Sequence, residues 1–248
     1  MTGGSPGGLV SLPLLLLHGA LGSADQMRGF EKVFDGERQV FVIDFSGHGR
    51  NADDSGKADS SGGFTIGRFA ADVRALLDAN GIRKADVFGY SMGGYVGLHV
   101  ARHHPDRIGS VMTLGTKFAW DPATAGKEAA RLDPEVLEAK VPAFAAQLRE
   151  RHGGDWATVV RSTAGMMRGL GAAQDLTADD LRAIPHRALI AVGDRDAMVS
   201  IAESDAAARS LPAGECLVLP ATPHPFEHVN YDVLAYHARH FFSKGQSE

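Results

Sequence analysis

Between residues 12 and 219, short runs of β-forming apolar residues alternate with stretches whose apolar residues recur at helical spacing. That alternation limits the chain to a mostly parallel sheet covered by helices, because parallel neighbours must be joined by crossovers. The strand candidates are residues 12–17, 40–44, 85–88, 110–114, 187–192 and 215–219, giving about six main strands. Several are apolar on both alternations, as strands buried on both faces should be. Helices fit between them. Ser23 is placed to cap one on which Met27, Phe30 and Phe34 share a face. Thr65 is placed to cap another, with Ile66, Phe69, Val73 and Leu76 inward and Gly81 at its end. A third opens at Ser91, runs apolar through Val96 and Val100, and stops before Pro105.

The alternation breaks between residues 117 and 185. Only helical segments are legible there, started by Asp133-Pro134, by Asp155 and by Thr177 with its two following aspartates. The expected organisation is one α/β core built from residues 1–116 and 186–248, with residues 117–185 inserted as a helical cap. Residues 51–63 form a polar loop rich in Gly, Ser and Asp, and the tail from Ser243 is expected to fray.

Composition removes several classes of function. Net charge is -5 and no Lys/Arg block stands out, so the basic stripe of a nucleic-acid binder is missing. The apolar run at 12–17 is broken by Pro13 and is far too short to span a bilayer or to serve as a signal peptide, so a cytoplasmic location is expected. Cys216, the single cysteine, excludes an intrachain disulfide. Its apolar run predicts a small buried core residue.

Chemistry enters at Gly89-Tyr90-Ser91-Met92-Gly93-Gly94. A G-x-S-x-G pentapeptide arises by chance about 0.2 times in a chain this rich in glycine, and a second one surrounds Ser5. Context separates them. Ser91 follows a strand and opens a helix, the sharp turn that lifts a hydroxyl above a sheet edge, whereas Ser5 has neither neighbour. A serine hydroxyl needs a base oriented by an acid, and on such a sheet the order along the chain is nucleophile, acid, base. The acid belongs after the 187–192 strand, where Asp194 and Asp196 stand two apart and cannot both reach one imidazole. Asp196 is preferred, leaving Asp194 a turn-forming role. For the base, His224 sits in the loop directly after the last strand. His228, His237 and His240 fall on the C-terminal helical pattern, and His228 is the alternative. Backbone amides of Ala20, in the turn after the first strand, and of Met92, at the helix start, can meet a developing oxyanion. His18 is expected to bond nearby loops.

Together these residues resemble the α/β-hydrolase superfamily, specifically its capped, lipase- and esterase-like members. Residues 14–22 resemble its oxyanion loop, and Asp44-Phe45-Ser46-Gly47-His48-Gly49-Arg50 its D-x-x-G-x-G turn. Residues 89–94 resemble its nucleophile elbow, 192–199 its acid loop and 222–228 its histidine loop. The resemblance implies an α/β-hydrolase fold and gives the triad roles to Ser91, Asp196 and His224. The β-hairpin that often precedes the first of these strands has only the glycine-rich residues 1–11 to form from.

The resemblance also narrows the reaction. Serine at position 91 argues against the haloalkane dehalogenases and epoxide hydrolases, whose relatives carry aspartate there. Within 117–185, nine basic against ten acidic residues leave no field that would select strongly anionic substrates. Aromatic and methionine side chains are plentiful there, and Trp156, Met166 and Met167 are candidates for the pocket lining. The expected activity is cleavage of carboxylic esters with small to medium apolar acyl groups through an acyl-enzyme, with no cofactor and no metal. The alternatives are a carbon–carbon bond hydrolase, which would need an arginine such as Arg131 or Arg168 aimed into the site, and a non-catalytic receptor. A small-molecule ester is the implied partner, a homodimer is allowed, and neither nucleic acid nor membrane is expected.

Overall fold

The computed structural model describes residues 11–54 and 63–243. The glycine-rich start through residue 10, residues 55–62 of the polar loop and the tail from 244 lie outside them. Six strands form one sheet: β1 (Leu14–Leu17), β2 (Val40–Val42), β3 (Ala85–Tyr90), β4 (Ile108–Leu114), β5 (Arg187–Gly193) and β6 (Ala213–Leu219). Their spatial order is β2-β1-β3-β4-β5-β6, and every neighbouring pair is parallel. The register sets Leu17 beside Gly89, Tyr90 beside Leu114, Leu114 beside Ala191 and Gly193 beside Leu219. The turns that leave β1, β3, β4, β5 and β6 therefore emerge along one edge. From β1 the order runs outward both ways, to β2 and to β3, and a crevice opens at the carboxyl ends of strands where an α/β sheet reverses this way.

Alternate residues feed two cores. Leu15, Leu17, Val87, Val111 and Ile190 face the helices α2 (Ile66–Ala79) and α3 (Met92–His103). Leu14, Leu16, Phe88, Met112 and Leu189 face α1 (Ala24–Glu31) and α10 (Tyr231–Ser243), where Met27, Phe30, Leu234, Phe241 and Phe242 are buried. Phe34 joins that core from a short turn after α1. Thr65 caps α2, its hydroxyl accepting from the Arg68 amide at 3.1 Å. Leu77, not Leu76, takes the fully buried position on that helix. Ser23 precedes α1, but its side chain makes no cap bond. Asp44 does so from the next turn, accepting from the Ala24 amide at 2.7 Å.

Five helices stand between β4 and β5, two more than the three starts legible in the sequence. They are α4 (Pro122–Ala129), α5 (Pro134–Lys140), α6 (Pro142–His152), α7 (Trp156–Ala172) and α8 (Ala178–Arg182). Asp133 accepts from two amides of α5, and Thr177 and Asp180 form a reciprocal capping box on α8. Helix α9 (Ile201–Ser210) links β5 to β6. Leu137, Leu148, Val159 and Met166 from these helices join the same apolar cluster as Leu17 and Met92, and Met166 lines the pocket that contains Ser91, so the helices pack against the strand-exit edge.

One expectation fails at β6. Cys216 is exposed rather than buried, because β6 is the edge strand and α9 covers only part of it.

Candidate active site

Ser91 occupies the corner between β3 and α3 with φ +51°, ψ -114°. A non-glycine residue there stores strain on the order of 1–3 kcal/mol and persists only where its surroundings over-determine it. Here they do. The Ser91 amide donates to Leu114 O at 2.8 Å, and the Thr116 hydroxyl donates to Ser91 O at 2.9 Å. The flanking glycines are sterically required: a Cβ on Gly89 would lie 2.4 Å from the Gly93 backbone, and one on Gly93 2.3 Å from Leu17 O.

At the exits of β5 and β6, the His224 imidazole Nδ1 lies 2.7 Å from Asp196 Oδ2. The other carboxylate oxygen, Oδ1, accepts from the Met198 and Val199 amides, each at 2.8 Å. With its side chain 2% exposed, burial pushes the Asp196 carboxyl up. The hydrogen bond and charge of His224, helped by the two amides, outweigh burial and hold it below its ordinary value. An ionised carboxylate only accepts, so Nδ1 carries the proton and Nε2 is left as the basic nitrogen. Asp194 instead points to the neighbouring loop, where it accepts from the Thr222 amide at 3.1 Å. That bond ties the acid loop to the histidine loop. His228 is exposed in a three-residue helical turn, and His237 and His240 belong to α10.

The turn after β1 completes this edge. Gly22 N–H donates to Gly19 O at 3.0 Å, and a Cβ on Gly19 would come within 3.4 Å of Ser91 Cβ. Neither the Ala20 nor the Met92 amide has a partner among the described residues, and both residues line the pocket that contains Ser91 and His224. His18 is fully buried below the turn. Its Nε2 accepts from the Phe45 amide at 3.2 Å and its Nδ1 lies 2.8 Å from Gly19 O. Burial lowers this imidazole to about 4, so it is neutral and serves the loops.

The pocket is a cavity of about 40 Å³. Its sheet side carries Ser91, Met92, Ala20 and His224. Its helical side carries Trp120, Glu128, Met166, Met167 and Leu170. The structure thus brings Ser91, Asp196, His224, Ala20, Met92, Met166 and Met167 to one place. It does not bring Trp156 there. That indole opens α7 on a different side of the helix, buried in the core with the Arg149 guanidinium 4.8 Å from its ring centre. The second G-x-S-x-G, around Ser5, lies outside the described residues.

Other contributors escaped the sequence reading. Gly115, at φ +63°, holds a conformation that L side chains rarely adopt, and a Cβ there would press on both Asp196 Oδ2 and His224 Nδ1 at 3.2 Å. Its position directly after the β4 run was the available signal. Tyr90 donates its hydroxyl to His224 O at 3.0 Å and fixes the histidine loop from below. Glu128, with its side chain 9% exposed, puts a carboxylate on the pocket wall, paired with Arg131 at 3.0 Å. Lys117 also lines the pocket, held by Met198 O and Glu203. Among the described residues no group of three His, Cys, Asp or Glu side chains is arranged to hold a metal ion, and no helix is long and apolar enough to cross a membrane.

A family model described as alpha/beta hydrolase fold matches residues 13–229. The dihydrolipoyllysine-residue acetyltransferase component of the acetoin cleaving system of Pseudomonas putida is 28% identical over 261 residues, covering 94% of this chain and 65% of that protein. The 2-hydroxymuconate semialdehyde hydrolase of Pseudomonas putida is 31% identical over 93 residues, covering 38% of this chain and 31% of that protein. The chain thus spans under two thirds of the first relative's length, and its match to the second spans about a third. Among solved structures, a thermophilic esterase from Thermogutta terrifontis superposes with a TM-score of 0.76 at 23% identity, covering 96% of this chain and 92% of that one.

Proposed function

The chain belongs to the alpha/beta hydrolase family, and from that premise we propose that it is a serine hydrolase cleaving carboxylic esters of small to medium apolar acyl groups. The observation that carries the reading is the 2.7 Å contact between His224 Nδ1 and a doubly anchored Asp196, in a pocket whose floor is the strained Ser91 corner. In this reading Ser91 Oγ attacks the ester carbonyl while His224 Nε2 takes its proton, and Asp196 stabilises the imidazolium. The Ala20 and Met92 amides receive the oxyanion. His224 then returns the proton to the departing alcohol, which leaves an acyl group on Ser91. Water, activated by the same imidazole, hydrolyses it and releases the acid.

The helices over this edge, proposed as a cap, give the acyl group an apolar, methionine-rich enclosure. A carbon–carbon hydrolase acting on a carboxylate-bearing substrate fits less well. Arg131 and Arg168 do not line the pocket, Arg168 is exposed, and the wall carries the Glu128 carboxylate instead. The test is hydrolysis of a p-nitrophenyl ester series together with fluorophosphonate labelling. Ser91→Ala should lose about 10⁶ in rate and all labelling. Labelling that persists in this variant would remove Ser91 from the role, and cleavage of a dienoate without any ester turnover would favour the carbon–carbon reading.

A further inference from the structure

The turn at residues 19–22 is strained and is held from an unexpected direction. It closes through Gly22 N–H to Gly19 O, and its third residue, Leu21, has φ +58°. A positive φ at that place in a turn favours glycine. Leu21 keeps it under two donors that come from the end of α6: Arg151 Nη1 lies 2.7 Å and His152 Nε2 3.0 Å from the Leu21 carbonyl oxygen. The opposite ring nitrogen of His152, Nδ1, accepts from the Gly49 amide at 3.0 Å. One neutral tautomer satisfies both contacts, with the proton on Nε2 and the lone pair on Nδ1. Burial holds the His152 imidazole below its ordinary value and so keeps it in that neutral form.

The anchor is continuous with the rest of the turn. His152 packs edge-on against His48 at 5.7 Å between ring centres, and His48 lies 5.2 Å from His18. His18 in turn contacts Gly19 O. All three imidazoles are buried. The carbonyls Gly19 O and Leu21 O are therefore both held, and the Ala20 N–H, which points opposite to Gly19 O across their shared peptide, is without a partner among the described residues, in a residue that lines the Ser91 pocket.

We propose that Arg151 and His152 are positioning residues: by holding Leu21 O they fix the Ala20 amide in its oxyanion-binding direction, so that the site is competent only while α6 is seated on the 19–22 turn. This rests on the reading of Ser91 as nucleophile and Ala20 as an oxyanion donor. Neither side chain lines the Ser91 pocket, so substrate binding itself should be nearly indifferent to them.

The test measures kcat and KM for p-nitrophenyl butyrate in wild type, Arg151→Met, His152→Leu, the double variant and His152→Gln, together with hydrogen exchange at the Ala20 amide. The double variant should lose on the order of 10- to 100-fold in kcat, with KM within about threefold, since a misplaced oxyanion donor costs transition-state binding. His152→Gln, which can still donate to Leu21 O, should recover most of the loss. A double variant with unchanged kcat, or a loss confined to KM, overturns the proposal. If His152→Leu does not fold, Arg151→Met carries the test, because that side chain is only half-buried. It should lower kcat severalfold and Arg151→Lys should restore it, and an unchanged kcat sinks the idea. If wild type neither hydrolyses esters nor labels at Ser91, the proposed function falls on its own. Exchange then decides the anchoring: faster exchange at Ala20 in the double variant upholds it, and equal rates overturn it.

Discussion

The two walls of the pocket are built by different means. On the sheet side each functional group is fixed by main-chain bonds: Ser91 by Leu114 O, Asp196 by two amides, and the histidine loop by Asp194 and Tyr90. On the helical side the lining is mostly apolar side chains, two of them methionines, with rotamer freedom and few directional bonds. The contrast separates tasks. In the proposed reaction, bond making needs groups held to a fraction of an ångström, and the sheet side, where backbone and glycine packing leave few alternatives, suits it. Choice of an acyl group would need shape alone, which soft side chains can supply. Beside the pocket, a seam of buried imidazoles, His18, His48 and His152, joins α6 to the turn after β1.

The sheet side should therefore break sharply. Asp196→Asn keeps the size of the side chain but removes the charge and the acceptor that set the His224 tautomer, and should cost on the order of 10⁴ in kcat. Asp194→Asn should leave kcat within a few fold and lower the melting temperature, because it loosens the link to Thr222 without touching the imidazole. Steady-state rates and melting curves of the two variants check this pair. The reverse ranking at equal stability would move the acid to Asp194.

The seam should respond to acid. Burial lowers His18 from 6.5 to about 4, pushes His48 well below its ordinary value and lowers His152. Between about 4 and 6.5 the unfolded chain binds the proton that folded His18 refuses. Stability there rises with pH: the contribution is complete above 6.5 and is lost as pH falls toward 4. His18 alone should cost about 2 kcal/mol between pH 7 and pH 5. Asp44, whose charge favours protonation of His18 and His152, softens the effect, and Arg151 strengthens it. Urea midpoints at the two pH values measure it, and His152→Gln should shrink the difference. An unchanged midpoint at pH 5 would mean that the seam carries no linked stability.

How much of this was legible follows the same division. The sheet side could be read because its groups sit at fixed places relative to strands: Ser91 after β3, Asp196 after β5, His224 after β6. The helical side was read poorly because a helix tells which residues share a stripe but not which way the stripe turns. Met166 and Trp156 lie on the same helix, and only the first faces Ser91. Helix α4 was missed although Asp121-Pro122 is a cap followed by proline at the first turn, and Asp121 does accept from the Thr124 amide. Helix α6 begins at Val141-Pro142 with no side-chain cap, so the proline at its first turn was the one local sign of its start. Cys216 was misplaced because an apolar run looks the same in a central strand and in an edge strand. The order of strands, which decides exposure, is set by contacts distant in sequence. The histidine seam was invisible for the same reason: His18 and His48 meet where the turns after β1 and β2 come together, and the seating of α6 brings His152 to them.

The smallest effect belongs to the helical wall, and it can be made directional. Met166 is buried and lines both the 40 Å³ cavity at Ser91 and, on its other side, an outer groove of about 580 Å³ bounded by Thr65, Arg161, Gly165 and Gly169. Ile66 and Leu170 share that partition. Met167 lines the inner cavity alone. Shortening Met166 should therefore breach the partition, whereas shortening Met167 should only enlarge the chamber. Each methylene newly accommodated is worth about 0.8 kcal/mol, roughly fourfold in kcat/KM. In a p-nitrophenyl ester series the wild-type preference should rise and then drop at a short acyl chain. Met166→Ala should carry the maximum several carbons further, as the chain threads into the groove. Met167→Ala should move it by one or two carbons and then show the same sharp drop. Equal shifts in the two variants would mean that the groove is not reached through Met166. A larger shift in Met167→Ala would place the pocket end at Met167 and not at the Met166 partition.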